Sequence, residues 1–229
     1  MSNSLVQGIC AFFDVDQTLW SKKSVISFWE FYLRNKYPDC YSEQLAEFRQ
    51  SAQQKISEGC SRENLNAWFY ERYFKDKSVS DITHYAEQWC EEHFKSDGFW
   101  QHAVLDKVEY HQNLGHQIVL VSGSFKQVLT PLADRIGAAA VLCSPLETRD
   151  GVFTGAMRSR PMIGYGKTQA VLAYLNDHNI CPEQSYGYGD DISDIPFVSV
   201  LGNPNLVVRA DDPEMSEVST LIKYPTIAI

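Results

Sequence analysis

Phe12-Phe13-Asp14-Val15-Asp16-Gln17-Thr18 closes an apolar run that begins at Gly8. Two carboxylates stand two residues apart where a buried strand ends. A buried carboxylate is costly unless it is paired, hydrogen-bonded or metal-bound. In an open α/β sheet the strand ends are also where ligands bind. The pair therefore points to reaction chemistry. A helix N-cap at Asp16 or Thr18 would explain one acid and leave the other without a reason.

Outward from this stretch, two kinds of pattern alternate. From about Ser24 to Phe94 the sequence is helical with no convincing strand. Leu45, Phe48, Ala52 and Ile56 share one helical face; Leu65, Trp68, Phe69 and Tyr73 form a second stripe; Ile82, Tyr85, Trp89 and Cys90 form a third. Ser61 offers an N-cap for the second of these helices. All five tryptophans lie between Trp20 and Trp100, which predicts a small aromatic helical core. The run Phe28-Trp29, Phe31-Tyr32 is accounted for more cheaply by burial there than by a membrane-facing role.

Beyond Phe99 strands and helices alternate. A helix through Val104 and Val108 ends near Gly115. The strand Gln117–Val121 runs into Ser122-Gly123-Ser124, and a helix follows to Ile136. Ala139–Cys143 is a short strand, and Asp150-Gly151 signals a hairpin turn between Leu146 and Thr154. A helix starts near Lys167. Gln184–Gly189 is a strand ending in Asp190-Asp191, and Leu206–Arg209 is a further short strand. Such alternation implies a parallel sheet covered on both faces. The helical block between the first two strands is too long for a crossover. It reads as an inserted cap, residues 22–97, with residues 1–21 and 98–229 forming the core.

With 229 residues the chain can bury a core without staples. Its net charge of −9 argues against a nucleic-acid partner, which calls for a basic stripe. Six widely spaced cysteines with no C-x-x-C pair predict reduced thiols and a cytoplasmic setting. Met1-Ser2-Asn3-Ser4 has no basic region followed by an apolar core, so no signal peptide is expected. No apolar run approaches the ~20 residues that span a bilayer.

Four segments fall at or just beyond strand ends: Asp14/Asp16, Ser122-Gly123, Lys167, and Asp190 through Asp194. Three or four carboxylates can hold a hard cation, and Mg²⁺ favours a few carboxylates with waters and phosphate. A serine hydroxyl, a glycine N–H and a lysine can cradle phosphate oxygens. A spare carboxylate can attack phosphorus and another can carry the proton. Each segment alone reads as a turn, a cap or a solvated lysine; their order and placement together carry the signal.

The chain resembles the haloacid dehalogenase superfamily of phosphatases, in the branch that includes phosphoserine phosphatase. The matching pieces are Asp14-Val15-Asp16-Gln17-Thr18, Val121-Ser122-Gly123-Ser124-Phe125, Lys167, and Gly189-Asp190-Asp191-Ile192-Ser193-Asp194-Ile195-Pro196. Asp150–Gly155 resembles the hairpin of that branch, and Gly202-Asn203-Pro204 its stretch after the fourth motif. The resemblance implies a Rossmann-like doubly wound parallel sheet, α/β, with an all-helical cap after the first motif. It implies Asp14 as nucleophile and Asp16 as general acid, then base. Mg²⁺ is implied as cofactor, held by Asp14, Asp190 and the Asp16 backbone carbonyl. Ser122, Gly123 and Lys167 would bind phosphate, and Asp194 would orient Lys167 or metal-bound water. Asp191 departs from the small residue common there and is either a second ligand or an exposed acid.

The function so implied is a Mg²⁺-dependent phosphatase of a small phosphorylated metabolite. A phosphomutase or a lipid head-group phosphatase of the phosphatidylglycerophosphate type could use the same core, and so could a non-catalytic phosphate-binding module. Phosphoserine phosphatases place a glutamate nine residues after the nucleophile, facing the substrate ammonium. Here that position is Lys23, which would repel an ammonium and attract an anion or a hydroxyl. Lys22 and Lys23 could equally be solvated at the start of the cap. Neither the identity of the metabolite nor the oligomeric state is legible.

Overall fold

Every residue of strand β1 (Cys10–Asp14) is buried. The computed structural model describes residues 8–229, so the expectation drawn from residues 1–4 lies outside the described residues. After β1 come four helices: α1 (Ser24–Lys36), α2 (Tyr41–Ser57), α3 (Arg62–Tyr73) and α4 (Val79–His93). Then follow α5 (His102–Asn113), β2 (Gln117–Ser122), α6 (Lys126–Arg135), β3 (Ala140–Cys143), and the hairpin β4 (Leu146–Arg149) and β5 (Val152–Met157). The chain continues through α7 (Tyr165–Asp177), β6 (Tyr186–Gly189), α8 (Ile195–Val198), β7 (Asn203–Val208), α9 (Pro213–Ile222) and β8 (Thr226–Ala228). The hairpin turn has φ of 50° at Asp150 and 79° at Gly151, as a two-residue turn with both central residues left-handed requires.

The main sheet runs β3-β2-β1-β6-β7-β8, with every pair parallel. This is the doubly wound α/β sheet that the alternation implied. Strand β8 and helix α9 were not anticipated. Side chains alternate across the pleat with period two. Phe13, Ile118 and Leu120 join one apolar cluster with α5, α6 and the inserted helices, while Phe12, Val119 and Val121 join another with α7, α8 and α9.

The block predicted to be helical holds α1 to α4 and no strand, and Ser61 Oγ accepts from the Asn64 N–H as the cap of α3. Phe28, Trp29, Phe31 and Tyr32 are buried among the insert's aromatic rings. That aromatic core is continuous with one face of the sheet: Phe74 meets Phe125 at 4.9 Å and Phe153 at 5.5 Å between ring centroids. The two linkers of the insert run side by side, with Ser21 N–H donating to the Phe99 carbonyl at 2.8 Å. No helix among the described residues is long and apolar enough to cross a membrane. All six cysteines are free thiols.

One buried titratable group lies under the sheet, away from its functional edge. His111 of α5 has its Nε2 2.8 Å from Tyr188 Oη and its Nδ1 2.8 Å from His116 Nδ1. Burial, aided by the charges of His116 and Lys107, pushes its pKa from 6.5 down to about 4. Between those values the unfolded chain binds the extra proton, so this residue makes stability fall as pH drops through that window. A shift of this size corresponds to roughly 3 kcal/mol. His111→Gln is expected to remove that component, read as the difference in urea midpoints between the two proteins from pH 7 to pH 4.5. Parallel pH profiles would contradict it.

Candidate active site

Parallel pairing brings the carboxyl ends of β2, β1 and β6 to one edge. The register pairs Asp14 with Val121 and Phe13 with Tyr188, so Ser122 and Asp190 emerge beside the first acidic pair. Helix α7 starts at the same edge and carries Lys167 in its first turn. Gly189 permits the close return of the next loop, since a Cβ there would lie 2.6 Å from that of Asp194. The four predicted segments thus converge, although 153 residues separate Asp14 from Lys167.

Lys167 Nζ lies 2.5 Å from Asp14 Oδ1 and 2.6 Å from Asp194 Oδ1, with all three side chains buried. This excludes a solvated lysine. Asp194 lies against Lys167, one of the two partners the resemblance allowed it. Burial works to strip the lysine of its proton, but the two carboxylates outweigh it and raise its pKa. Burial raises Asp14 to about 7 and Asp194 to about 7, against the pull of Lys167. Asp190 rises to about 6, again chiefly by burial, with Asp194's charge adding to it.

Asp14, Asp190 and Asp194 each offer a carboxylate oxygen within 4.8 Å of the others. Three carboxylates this close and out of water, with Lys167 against Asp14 and Asp194 and Arg209 against Asp190, still hold one more negative charge than positive. An all-oxygen, over-anionic set of this kind suits a hard divalent cation. The resemblance implied Asp14, Asp190 and the Asp16 backbone carbonyl as ligands; the Asp194 carboxylate is an additional oxygen here. The Asp16 carboxylate turns instead to the start of α1. Its Oδ1 accepts from Trp20 Nε1 at 2.8 Å and its Oδ2 from the Ser24 N–H at 3.0 Å, with the Ser24 hydroxyl also 3.0 Å away. Asp16 therefore meets orphan donors at the head of α1. Burial raises its pKa, and the Ser24 and Trp20 bonds oppose the rise.

Ser122 Oγ accepts from the Ser124 N–H at 3.1 Å, which fixes the turn after β2. The Gly123 carbonyl accepts from Ser144 Oγ at 2.8 Å, Asn66 Nδ2 at 3.1 Å and Tyr70 Oη at 3.3 Å. Asp191 pairs with Arg62 of α3, and Arg62 Nη1 also reaches Ser193 Oγ at 3.3 Å. It is thus a bridge between insert and sheet edge, neither the free surface acid nor a member of the carboxylate trio.

Several participants escaped the sequence reading. Thr18 Oγ1 donates to Asp190 Oδ1 at 2.8 Å, and Arg209 Nη1 lies 2.6 Å from Asp190 Oδ2. Arg209 stands just past β7 at the same sheet edge, so its strand-end position was the available signal. Arg62 and Asn66 had none, because they reach the site from the polar faces of an amphipathic helix.

A cleft of about 440 Å³ opens over these groups. Asp14, Asp16, Ser122, Gly123, Lys167, Asp190, Asp191 and Asp194 line its floor. Its roof belongs to the insert and includes Lys23, Val25, Ile26, Phe48, Ala52, Ile56, Arg62, Leu65, Trp68 and Phe69. The stripe Leu45-Phe48-Ala52-Ile56 is packed core at its start; by Ile56, 60% exposed, it has become cleft wall.

The family model of the haloacid dehalogenase-like hydrolases matches residues 11–199. Phosphoserine phosphatase SerB1 of Mycobacterium tuberculosis is 25% identical over 210 residues, 87% of this chain and 66% of its own length. The chain thus spans just under two thirds of the length of that relative. A solved protein of unknown function from Bordetella pertussis Tohama I superposes with a TM-score of 0.83 at 20% identity, over 97% of this chain and 99% of the other. A phosphoserine phosphatase solved as a phospho-aspartyl intermediate analogue superposes at 0.64 and 15% identity, over 97% and 93%. At such identities these two likenesses establish the fold.

Proposed function

This chain belongs to the haloacid dehalogenase-like hydrolases, and we propose that within that family it is a Mg²⁺-dependent phosphatase of a small phosphomonoester. The observation that carries the proposal is the buried Asp14 carboxylate held 2.5 Å from Lys167 at the floor of a cleft. The similarity to SerB1 and to a phosphoserine phosphatase held as a phospho-aspartyl analogue supports it.

In this reading an Asp14 carboxylate oxygen attacks phosphorus and the ester P–O bond breaks. The leaving oxygen takes a proton from Asp16, whose raised pKa suits an acid. Asp16 then removes a proton from water, which displaces Asp14 and releases inorganic phosphate. Lys167 offsets the repulsion between an anionic nucleophile and an anionic phosphate. The Ser122 hydroxyl and the Gly123 N–H bind phosphate oxygens, and Asp194 holds Lys167 in place. Asp14, Asp190 and Asp194 supply carboxylates for Mg²⁺, with the Asp16 backbone carbonyl as a further ligand implied by the resemblance. The cation, when bound, supplies charge neutralisation of the phosphoryl group. The helical insert, residues 22–97, is in this reading the cap that meets the leaving group.

Lys23 is assigned to leaving-group selection. It lines the cleft, and the insert contributes Lys23 and Arg62 to the lining but no carboxylate. Such a roof disfavours an ammonium. A panel of phosphorylated metabolites scored for phosphate release with Mg²⁺ is expected to place L-phosphoserine among the poor substrates. Lys23→Glu should lower kcat/KM for the best substrate by about tenfold or more, equal to ~1.4 kcal/mol of transition-state binding. An unchanged kcat/KM across the panel, or phosphoserine as the best substrate, would overturn the assignment. No release from any member with Mg²⁺ present would count against the phosphatase itself.

A further inference from the structure

The roof of the cleft is apolar beyond what packing requires. Val25 and Ile26 from α1, Ala52 and Ile56 from α2, and Leu65 and Trp68 from α3 face the same space as Asp14 and Lys167. Ile26 is 48% and Ile56 60% exposed, so both leave apolar surface in water at the mouth. Behind them the wall is stiff: Phe48 and Phe69 pack edge to face at 5.7 Å, and Trp29 meets Phe69 at 6.0 Å.

Arg62 and Asn66, the polar side chains that α3 contributes to the lining, are already engaged. Arg62 pairs with Asp191, Asn66 bonds the Gly123 carbonyl and Ser144, and Asp16 is met by Trp20 and Ser24. Lys23 is the cationic lining residue that has no carboxylate partner among the described residues. A leaving group rich in hydroxyls or amines lying along α2 and α3 would lose its water there, with Lys23 and Gln17 elsewhere in the lining as the side chains left to meet it, which is costly. An apolar body would be favoured by its transfer out of water, and its phosphate would lie on the charged floor.

We infer that the substrate is a soluble phosphomonoester whose leaving group is an apolar body, alkyl or aryl, lying along α2 and α3. The inference takes the identity of the phosphate end from the phosphatase reading above. A cleft of about 440 Å³ takes a ligand of ordinary small-molecule size, not two acyl chains together with their head group. The source is therefore a free ester rather than a bilayer lipid.

The test is a homologous series from ethyl to octyl phosphate, kept below micelle concentrations with Mg²⁺ present. Leaving-group acidity is nearly constant along it, so burial alone varies. kcat/KM is expected to rise about threefold per added methylene until the cleft is filled. The matching alkylphosphonates, which cannot be hydrolysed, should show the same trend in affinity by calorimetry. Ile56→Asp and Ile26→Asp, both at exposed positions, should flatten the series. Dioleoyl phosphatidic acid in vesicles should be a poorer substrate than octyl phosphate.

The outcomes separate the two readings. Phosphate release with a flat or falling series overturns the apolar leaving group and leaves the phosphatase standing. Phosphonate affinity that climbs with chain length, with no ester hydrolysed, keeps the apolar assignment and removes the phosphatase. A series left unflattened by either substitution would mean that the gain comes from elsewhere on the protein. Preference for the vesicle lipid would overturn the soluble ester.

Discussion

Asp14→Asn is expected to abolish phosphate release, with a loss of about 10⁴-fold or more in kcat, as when a nucleophile is removed from a concerted set. The amide preserves shape but has no anionic oxygen to attack phosphorus. The protein should nevertheless remain folded. Burial pushes the Asp14 carboxyl up to about 7, which means that the fold holds this group's charge at a cost. A neutral amide removes that cost. Against it stands the loss of one of the two carboxylates facing Lys167, although Asp194 at 2.6 Å remains. The melting temperature should therefore shift by only a few degrees, whereas an unpaired buried charge would lower it much further. Acid quench of the unmodified protein during turnover should leave the phosphoryl group on Asp14. Retained turnover in the variant, or a phosphoryl group on another residue, would remove the mechanism.

Chelation is expected to have an effect of similar size. EDTA should lower turnover by about 10³-fold or more, because several kcal/mol of charge stabilisation is lost with the cation. Mg²⁺ should restore it. Ca²⁺ should support it poorly, since its longer bonds and higher coordination number suit a looser site. The crowding of Asp14, Asp190 and Asp194 within 4.8 Å gives the same experiment a readout without substrate. Mg²⁺ binds the folded protein and relieves the repulsion, so it should raise the melting temperature with rising concentration. Asp190→Asn should reduce that rise. Full activity in chelator, or a melting temperature indifferent to Mg²⁺, would show that the trio has another role.

Local pattern carried far in this chain. The buried run ending at Asp14, the alternation after Phe99 and the helical block between them were each legible from periodicities spanning one element. Strand β8 and helix α9 were not, because three residues at a sheet edge leave too short a pattern to separate from a loop. The role of the Ala52–Ile56 end of α2 was not legible, for a different reason. An apolar helical stripe has the same period whether it faces a packed core or a cleft wall, and the two differ only in what stands opposite.

The sequence by itself determined the chemistry available at the sheet edge. Asp14, Ser122 and Asp190 follow strands whose direction and burial are written in their own residues, and parallel pairing then brings such ends to one edge. The tertiary structure decided how those groups are shared out. It set the Asp194 carboxylate beside those of Asp14 and Asp190, turned the Asp16 carboxylate to the head of α1, and joined Asp191 to Arg62 and Asp190 to Arg209. It also placed the apolar wall over the floor that carries Asp14, Lys167 and Asp190. Most of these pairings bridge long stretches of chain, with Arg62 and Asp191 129 positions apart. Local propensity acts over a few residues, whereas pairs this distant are set by how helices seat on a sheet, which no single segment specifies.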